Sequence, residues 1–163
     1  MTAKMASACL PLILLIFCVI FVHVESQNCQ EGWHFFNGSC YSFSGLQVMW
    51  AEALAICKAF NAKLAEIETS EENEFLKNLA REKSADSTFL GGTDIFEDGF
   101  WVWTSSGKHI YPFVDWAPNE PSNVAYTCLG FWGVHNYQWS NFYCDVKTNF
   151  ICEATSTAGT IVG

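Results

Sequence analysis

Residues 49–60 read MWAEALAICKAF, and this stretch decides the fold. Trp50, Leu54, Cys57 and Phe60 recur at i, i+4, i+7 and i+10, one stripe of an amphipathic helix. The cysteine on that stripe is one of eight in the chain. Cys9 and Cys18 lie in a leading apolar segment; Cys29, Cys40, Cys57, Cys128, Cys144 and Cys152 follow it. No two are spaced C-x-x-C, so a zinc ribbon or a thioredoxin-like redox site has no support. An even count behind a secretory leader argues for three disulfides, although counting alone leaves the pairing open.

The leader is legible. Leu10–Val22 is thirteen residues without a charge, preceded by Lys4 and followed by His23-Val24-Glu25-Ser26. A basic start, an apolar middle of this length and a small residue at the end predict a signal peptide over residues 1–26, cut before Gln27. An uncleaved anchor is disfavoured: five residues precede Ala6, and Cys29 arrives with no stalk. The mature chain is then 137 residues, one domain over 27–153 and a short flexible tail over 154–163. Its location is extracellular. With 17 acidic against 8 basic residues the net charge is −9. That charge repels phosphate backbones and anionic membranes, which excludes nucleic acid as a partner and insertion into a membrane after signal removal.

Around residues 49–60 the pattern is α+β, with helices early and strands late. Asn37-Gly38 is a two-residue hairpin signal within Cys29–Ser44. A second helix opens at Thr69, where Thr69 and Glu72 fit a capping box and Glu71, Glu72 and Glu74 read as solvated charges at the positive helix end. Phe75, Leu76 and Leu79 supply its buried face. Phe89–Gly92, Phe100–Trp103, Cys128–Trp132, Tyr137–Asn141 and Asn149–Glu153 read as strands. Tyr111–Asn123, with three prolines and no periodicity, is a long ordered loop, the kind that carries function.

Cys29-x-x-Gly32-Trp33, Gly38-Ser39-Cys40-Tyr41, Trp50-x-x-Ala53-x-x-x-Cys57 and Ala62-Lys63-Leu64-Ala65 stand in order along the chain. They continue through Phe89-Leu90-Gly91-Gly92, Trp101-x-Trp103, Trp116-x-x-x-Glu120-Pro121, Trp139, Cys144 and Phe150-Ile151-Cys152-Glu153. By these motifs residues 29–153 resemble a secreted C-type lectin-like domain, and residues 62–107 are most similar to invertebrate perlucin-like lectins. The resemblance implies a double-loop fold, two helices flanking two small, mostly antiparallel sheets. It also implies the pairings Cys29–Cys40, Cys57–Cys152 and Cys128–Cys144.

Members of that family that bind sugar do so through calcium, a hard cation that needs oxygen ligands. Their pattern is Glu-Pro-Asn or Gln-Pro-Asp in the long loop, a Glu before the fourth cysteine, and Trp-Asn-Asp later. Here the positions hold Glu120-Pro121-Ser122, Tyr126 and Trp139-Ser140-Asn141. Only Glu120 keeps its family identity as a ligand, with Pro121 at the family's cis proline. The resemblance therefore implies a degenerate primary site of Glu120 and Asn141, and an accessory site half kept as Asp94 and Asp98, with Asn123 and Thr127 replacing acids. Calcium is expected to bind weakly if at all. The sugar-facing residues are expected to be Glu120, Ser122, Ser140 and Asn141, joined by His135 and Asn136 in the turn before Trp139.

Trp101, Trp103, Trp116 and Trp139 are expected in the core, and Trp132 and Tyr137 beside His135 on a ligand-facing surface. His34, His109 and His135 show no metal-ligand spacing. There is no G-x-S-x-G motif, and no cysteine is left to act as nucleophile, so nothing points to an enzyme. Asn37-Gly38-Ser39 is a glycosylation sequon, equally explained as a turn. The leading functional expectation is a secreted carbohydrate-binding lectin of innate pattern recognition, with glycans or glycoproteins as partners and self-association allowed. The alternative is a calcium-independent module of the extracellular matrix that binds protein or mineral.

Overall fold

Asn37 and Gly38 take φ of 44° and 88°. Two successive left-handed residues make the tight turn whose twist suits a hairpin. The turn joins β1 (His34–Phe36) to β2 (Ser39–Val48), with Phe36 opposite Ser39. The computed structural model describes residues 29–156; the expected signal peptide lies outside them.

Helix α1 (Trp50–Ala59) starts where the Glu52 carboxylate accepts from the Met49 N–H at 2.9 Å. It buries Trp50, Ala53 and Cys57, and the Trp50 indole donates to the Leu90 carbonyl at 2.9 Å. Phe60 leaves the expected stripe: it caps the helix end and is 53% exposed. Helix α2 (Ser70–Glu82) has Thr69 as its N-cap, accepting from the Glu72 N–H at 3.2 Å. The Glu72 carboxylate does not return to Thr69. It accepts instead from the Glu68 N–H at 2.9 Å and from the Tyr41 hydroxyl. Glu72 is buried, which corrects the expectation of a solvated charge.

The remaining strands are β3 (Lys63–Leu64), β4 (Ser87–Thr93), β5 (Val102–Trp103), β6 (Cys128–Trp132), β7 (Gln138–Phe142) and β8 (Thr148–Thr155). They form one mixed sheet in the order β1-β2-β8-β4-β6-β7, with β3 on β8 and β5 on β4. The two small, mostly antiparallel sheets that were expected are its two halves. A short parallel ladder, Thr88 opposite Asn149 and Phe89 opposite Phe150, joins them. The cause lies in β8, six of whose eight residues are buried. Its backbone groups need partners on both edges, and β2 satisfies only one. β8 also runs to Thr155, two residues past the Glu153 at which the sequence places the end of the domain.

The three disulfides are those the resemblance implies: Cys29–Cys40, Cys57–Cys152 and Cys128–Cys144, with Cα separations of 5.6, 5.4 and 5.3 Å. Cys57–Cys152 clamps α1 to β8. Trp101, Trp103 and Trp139 are buried, and Trp116 packs against them, as expected. Trp139 is the hub, with the rings of Trp103, Trp116 and Phe113 edge-on to it at 5.7 to 5.9 Å. Each such pair adds about 0.5–1.5 kcal/mol beyond its buried area. Gly91 has a packing reason: a Cβ there would sit 2.8 Å from the Leu64 carbonyl, so only glycine lets β4 approach β3.

Candidate functional site

The long loop leaves β5 and is fastened first at its base. The Ala117 N–H donates to the Trp139 carbonyl and the Trp139 N–H to the Asp115 carbonyl, both at 2.8 Å. These bonds lay the loop along β7. The Asp115 carboxylate accepts from Asn73 Nδ2 at 2.7 Å and from Lys77 Nζ at 2.9 Å, tying the base to α2. Burial opposes the charge on Lys77, but hydrogen bonds to Glu74 and Asp115 outweigh it and raise its pKa.

Farther along, the Glu120–Pro121 peptide is cis, matching the family position. Asn141, from β7, then holds the loop with its carboxamide. Its Oδ1 accepts from the Ser122 N–H at 3.1 Å and the Ser122 hydroxyl at 3.4 Å. Its Nδ2 donates to the carbonyls of Asn123 at 3.0 Å and Tyr126 at 2.8 Å. The Asn141 N–H reaches Glu120 Oε2 at 3.4 Å. Both ends of the amide are therefore spent on the loop.

The donor set does not fit a calcium ion at this position. Calcium takes six to eight oxygens, several of them charged. Here Glu120 is the single carboxylate, and Asn141 Oδ1 already accepts twice. Tyr126 turns its ring edge-on to Tyr143 at 4.2 Å. At the accessory position Asp94 is buried; Oδ2 accepts from the Gly99 N–H at 3.0 Å, while Oδ1 has no partner. Asp98 is exposed. Among the described residues no three His, Cys, Asp or Glu side chains are grouped to hold a metal ion.

The structure thus brings Glu120, Ser122 and Asn141 together. Ser140 is buried, its hydroxyl 3.4 Å from the Asn141 carbonyl, so it faces the interior rather than a ligand. The His135 ring lies tilted against Trp132 with centroids 4.5 Å apart, and Asn136 accepts from Arg81 at 3.3 Å. Their partners are Arg81 and Trp132 rather than the long loop, and Tyr137 is buried under Arg81 rather than displayed. Asn37 is exposed at its hairpin tip.

One cluster had no signal in the sequence. Glu66, Glu72 and Glu153, from three separate segments, meet around Tyr41 and Lys63. Glu66 Oε1 accepts from the N–H groups of Ser105 and Ser106, and Lys63 bridges Glu66 at 3.0 Å and Glu153 at 3.3 Å. Burial raises the Glu153 carboxyl pKa against the pull of Lys63. Burial, then the Glu153 and Glu72 carboxylates, raise the Tyr41 phenol. For Lys63 burial acts downward, but the Glu153 and Glu66 carboxylates raise it overall. Every carboxylate here is paired, so the cluster welds α2 to β2 and β8.

Comparison with known proteins places this geometry. The family model of the lectin C-type domain matches residues 46–154. Perlucin of Haliotis laevigata is 32% identical over 130 residues, covering 77% of this chain and 83% of that protein. CD209 antigen-like protein D of Mus musculus is 34% identical over 134 residues, covering 81% of this chain but 54% of that protein. The chain therefore spans about half the length of that murine relative. The carbohydrate-recognition domain of the mouse scavenger receptor C-type lectin superposes with a TM-score of 0.72 at 28% identity, over 80% of this chain and 99% of that one. No helix among the described residues is long and apolar enough to cross a membrane.

Proposed function

This chain belongs to the C-type lectin domain family, and we propose that it is a secreted, non-enzymatic lectin that binds glycans or glycoproteins in innate pattern recognition. The observation that carries this reading is the Asn141 clasp. It supports a long loop presented ready-folded, with Glu120 and Ser122 as its polar face, and it removes calcium from the task of shaping that loop. In a metal-bound member the ion orders the loop and takes sugar hydroxyls directly; here hydroxyls must be met by protein groups alone. Recognition on these terms is weaker per contact and does not follow the mannose or galactose rule.

A second reading, a matrix module that binds protein or mineral, is favoured by the exposed carboxylates of Glu68 and Glu74 beside α2. One experiment separates them. The mature protein is applied to a glycan array with millimolar calcium and again with chelator. The lectin reading expects saccharide binding that persists in chelator; a blank array with retention on calcium carbonate would replace it by the second.

A further inference from the structure

We infer that the pocket between the first turn of the long loop and the β5 hairpin is a second saccharide subsite, built to stack a neutral, β-linked, gluco-configured pyranose. This inference rests on the lectin reading above but not on the Glu120–Asn141 surface. The pocket has a volume of about 220 Å³ and is walled by Trp103, His109, Tyr111 and Phe113. At its rim Lys108 Nζ lies 3.3 Å from Glu68 Oε1.

The walls select the ligand. Aromatic faces attract polarised C–H groups, and a pyranose offers these only on a face clear of axial hydroxyls. In β-gluco sugars every ring substituent is equatorial, so both faces present C–H. Mannose carries an axial 2-hydroxyl and galactose an axial 4-hydroxyl, and each obstructs one face. Tyr111 is 78% exposed and stands as an open platform, while Trp103 is 3% exposed and fixed in the core. The Phe100 ring lies against His109, tilted, with centroids 4.6 Å apart, which continues the aromatic surface outward and leaves room for a neighbouring ring of an oligosaccharide.

The rim supplies the polar half. Equatorial hydroxyls radiate in the ring plane, where the Glu68 carboxylate accepts and the Lys108 ammonium donates. Both groups are largely exposed, with side-chain accessibilities of 63% and 69%, so a sugar can engage them without breaking a buried pair. Charge narrows the class further. A chain with net charge −9 disfavours sialylated or sulfated glycans, so the occupant is neutral. The volume is below the range of about 300–1,000 Å³ typical of drug-sized ligands and suits one sugar ring.

The test uses the secreted full-length protein in chelator, titrated with cellotetraose and, in parallel, with β-mannotetraose. Calorimetry and tryptophan fluorescence are the readouts. Saturable cellotetraose binding is expected, with β-mannotetraose about tenfold weaker or worse. Tyr111→Ala should weaken cellotetraose about tenfold, with an unchanged thermal midpoint because its side chain is exposed. Leu46→Ala, at an exposed β2 position outside the pocket, should leave it unaltered. Binding that ignores Tyr111→Ala, or that falls equally with Leu46→Ala, sinks the subsite while leaving the lectin reading intact. Binding that follows Tyr111 and ignores Leu46 supports the subsite, whatever the long-loop surface does on the array. Absence of both cellotetraose binding and any array signal overturns both.

Discussion

Nε1 of Trp139 donates to Oδ1 of Asn73 at 2.8 Å, in the interior, and so joins the aromatic hub to helix α2. The other end of the same carboxamide holds Asp115 at the base of the long loop. Asn73→Ala would leave a buried indole N–H without a partner and Asp115 with less support. A buried unsatisfied group costs about 1–3 kcal/mol. Urea unfolding should show a loss of about 2 kcal/mol, with faster amide exchange at Trp116 and Ala117; a loss below ~0.5 kcal/mol would refute the linkage.

The Asn141 clasp predicts an inverted response to restoring an acid. Asn141→Asp keeps the acceptor oxygens but cannot donate to Asn123 and Tyr126, and it brings a second negative charge toward Glu120. Proteolysis within residues 120–127 should accelerate in chelator, and millimolar calcium should reverse part of the change. The unmodified protein should bind calcium no better than roughly 10⁻⁴–10⁻³ M, the weak end set by low ligand charge. Micromolar affinity in calorimetry would contradict this.

The disulfides should differ in weight. Cys57–Cys152 spans 95 residues and Cys29–Cys40 spans 11. Loop-closure entropy assigns them about 4.7 and about 2.8 kcal/mol. Replacing each pair by alanine should lower the thermal midpoint considerably more for Cys57–Cys152. Equal losses would show that native-state strain or residual structure governs instead.

Alkaline stability should depend on Tyr41. Its phenol pKa is raised in the folded protein, so above pH ~10 the unfolded chain releases this proton first and stability falls as pH rises. Lys63, also raised, adds a loss in the same direction. Each such group contributes a slope of up to about 1.4 kcal/mol per pH unit. Tyr41→Phe loses the bond to Glu72 at every pH, yet its decline between pH 10 and 11.5 should be shallower than that of the parent protein. An unchanged slope would remove Tyr41 from the account.

Local patterns were legible wherever one residue type does one job. Asn37-Gly38 specified its hairpin, Thr69 its cap, and the tryptophans their burial, because each follows from backbone geometry or surface area alone. The union of the sheet halves was not legible, since it depends on which strand meets the free edge of β8. Nor was the fate of Glu72, which reads as a helix-start charge until Tyr41 is brought to it from another strand. At the long loop the sequence showed that acids were missing. That Asn141 spends both ends of its amide holding the loop depended on the position of carbonyls that no residue type reveals.

The adjacency of β2 and β8 has a mechanical consequence. Ser39 of β2 lies opposite Thr155 of β8, so these two strands end side by side. A pull applied between the chain's ends would peel this ladder open one rung at a time, an easy geometry that yields at low force. Peeling would reach Ser42 and Cys152 and pass its tension through the bond to Cys57. Residues 58–151 lie inside that covalent loop and would carry none of it. Under tension only residues outside that loop, as far as the rest of β2 and most of α1, would be drawn out, and the binding surface inside it would stay unloaded.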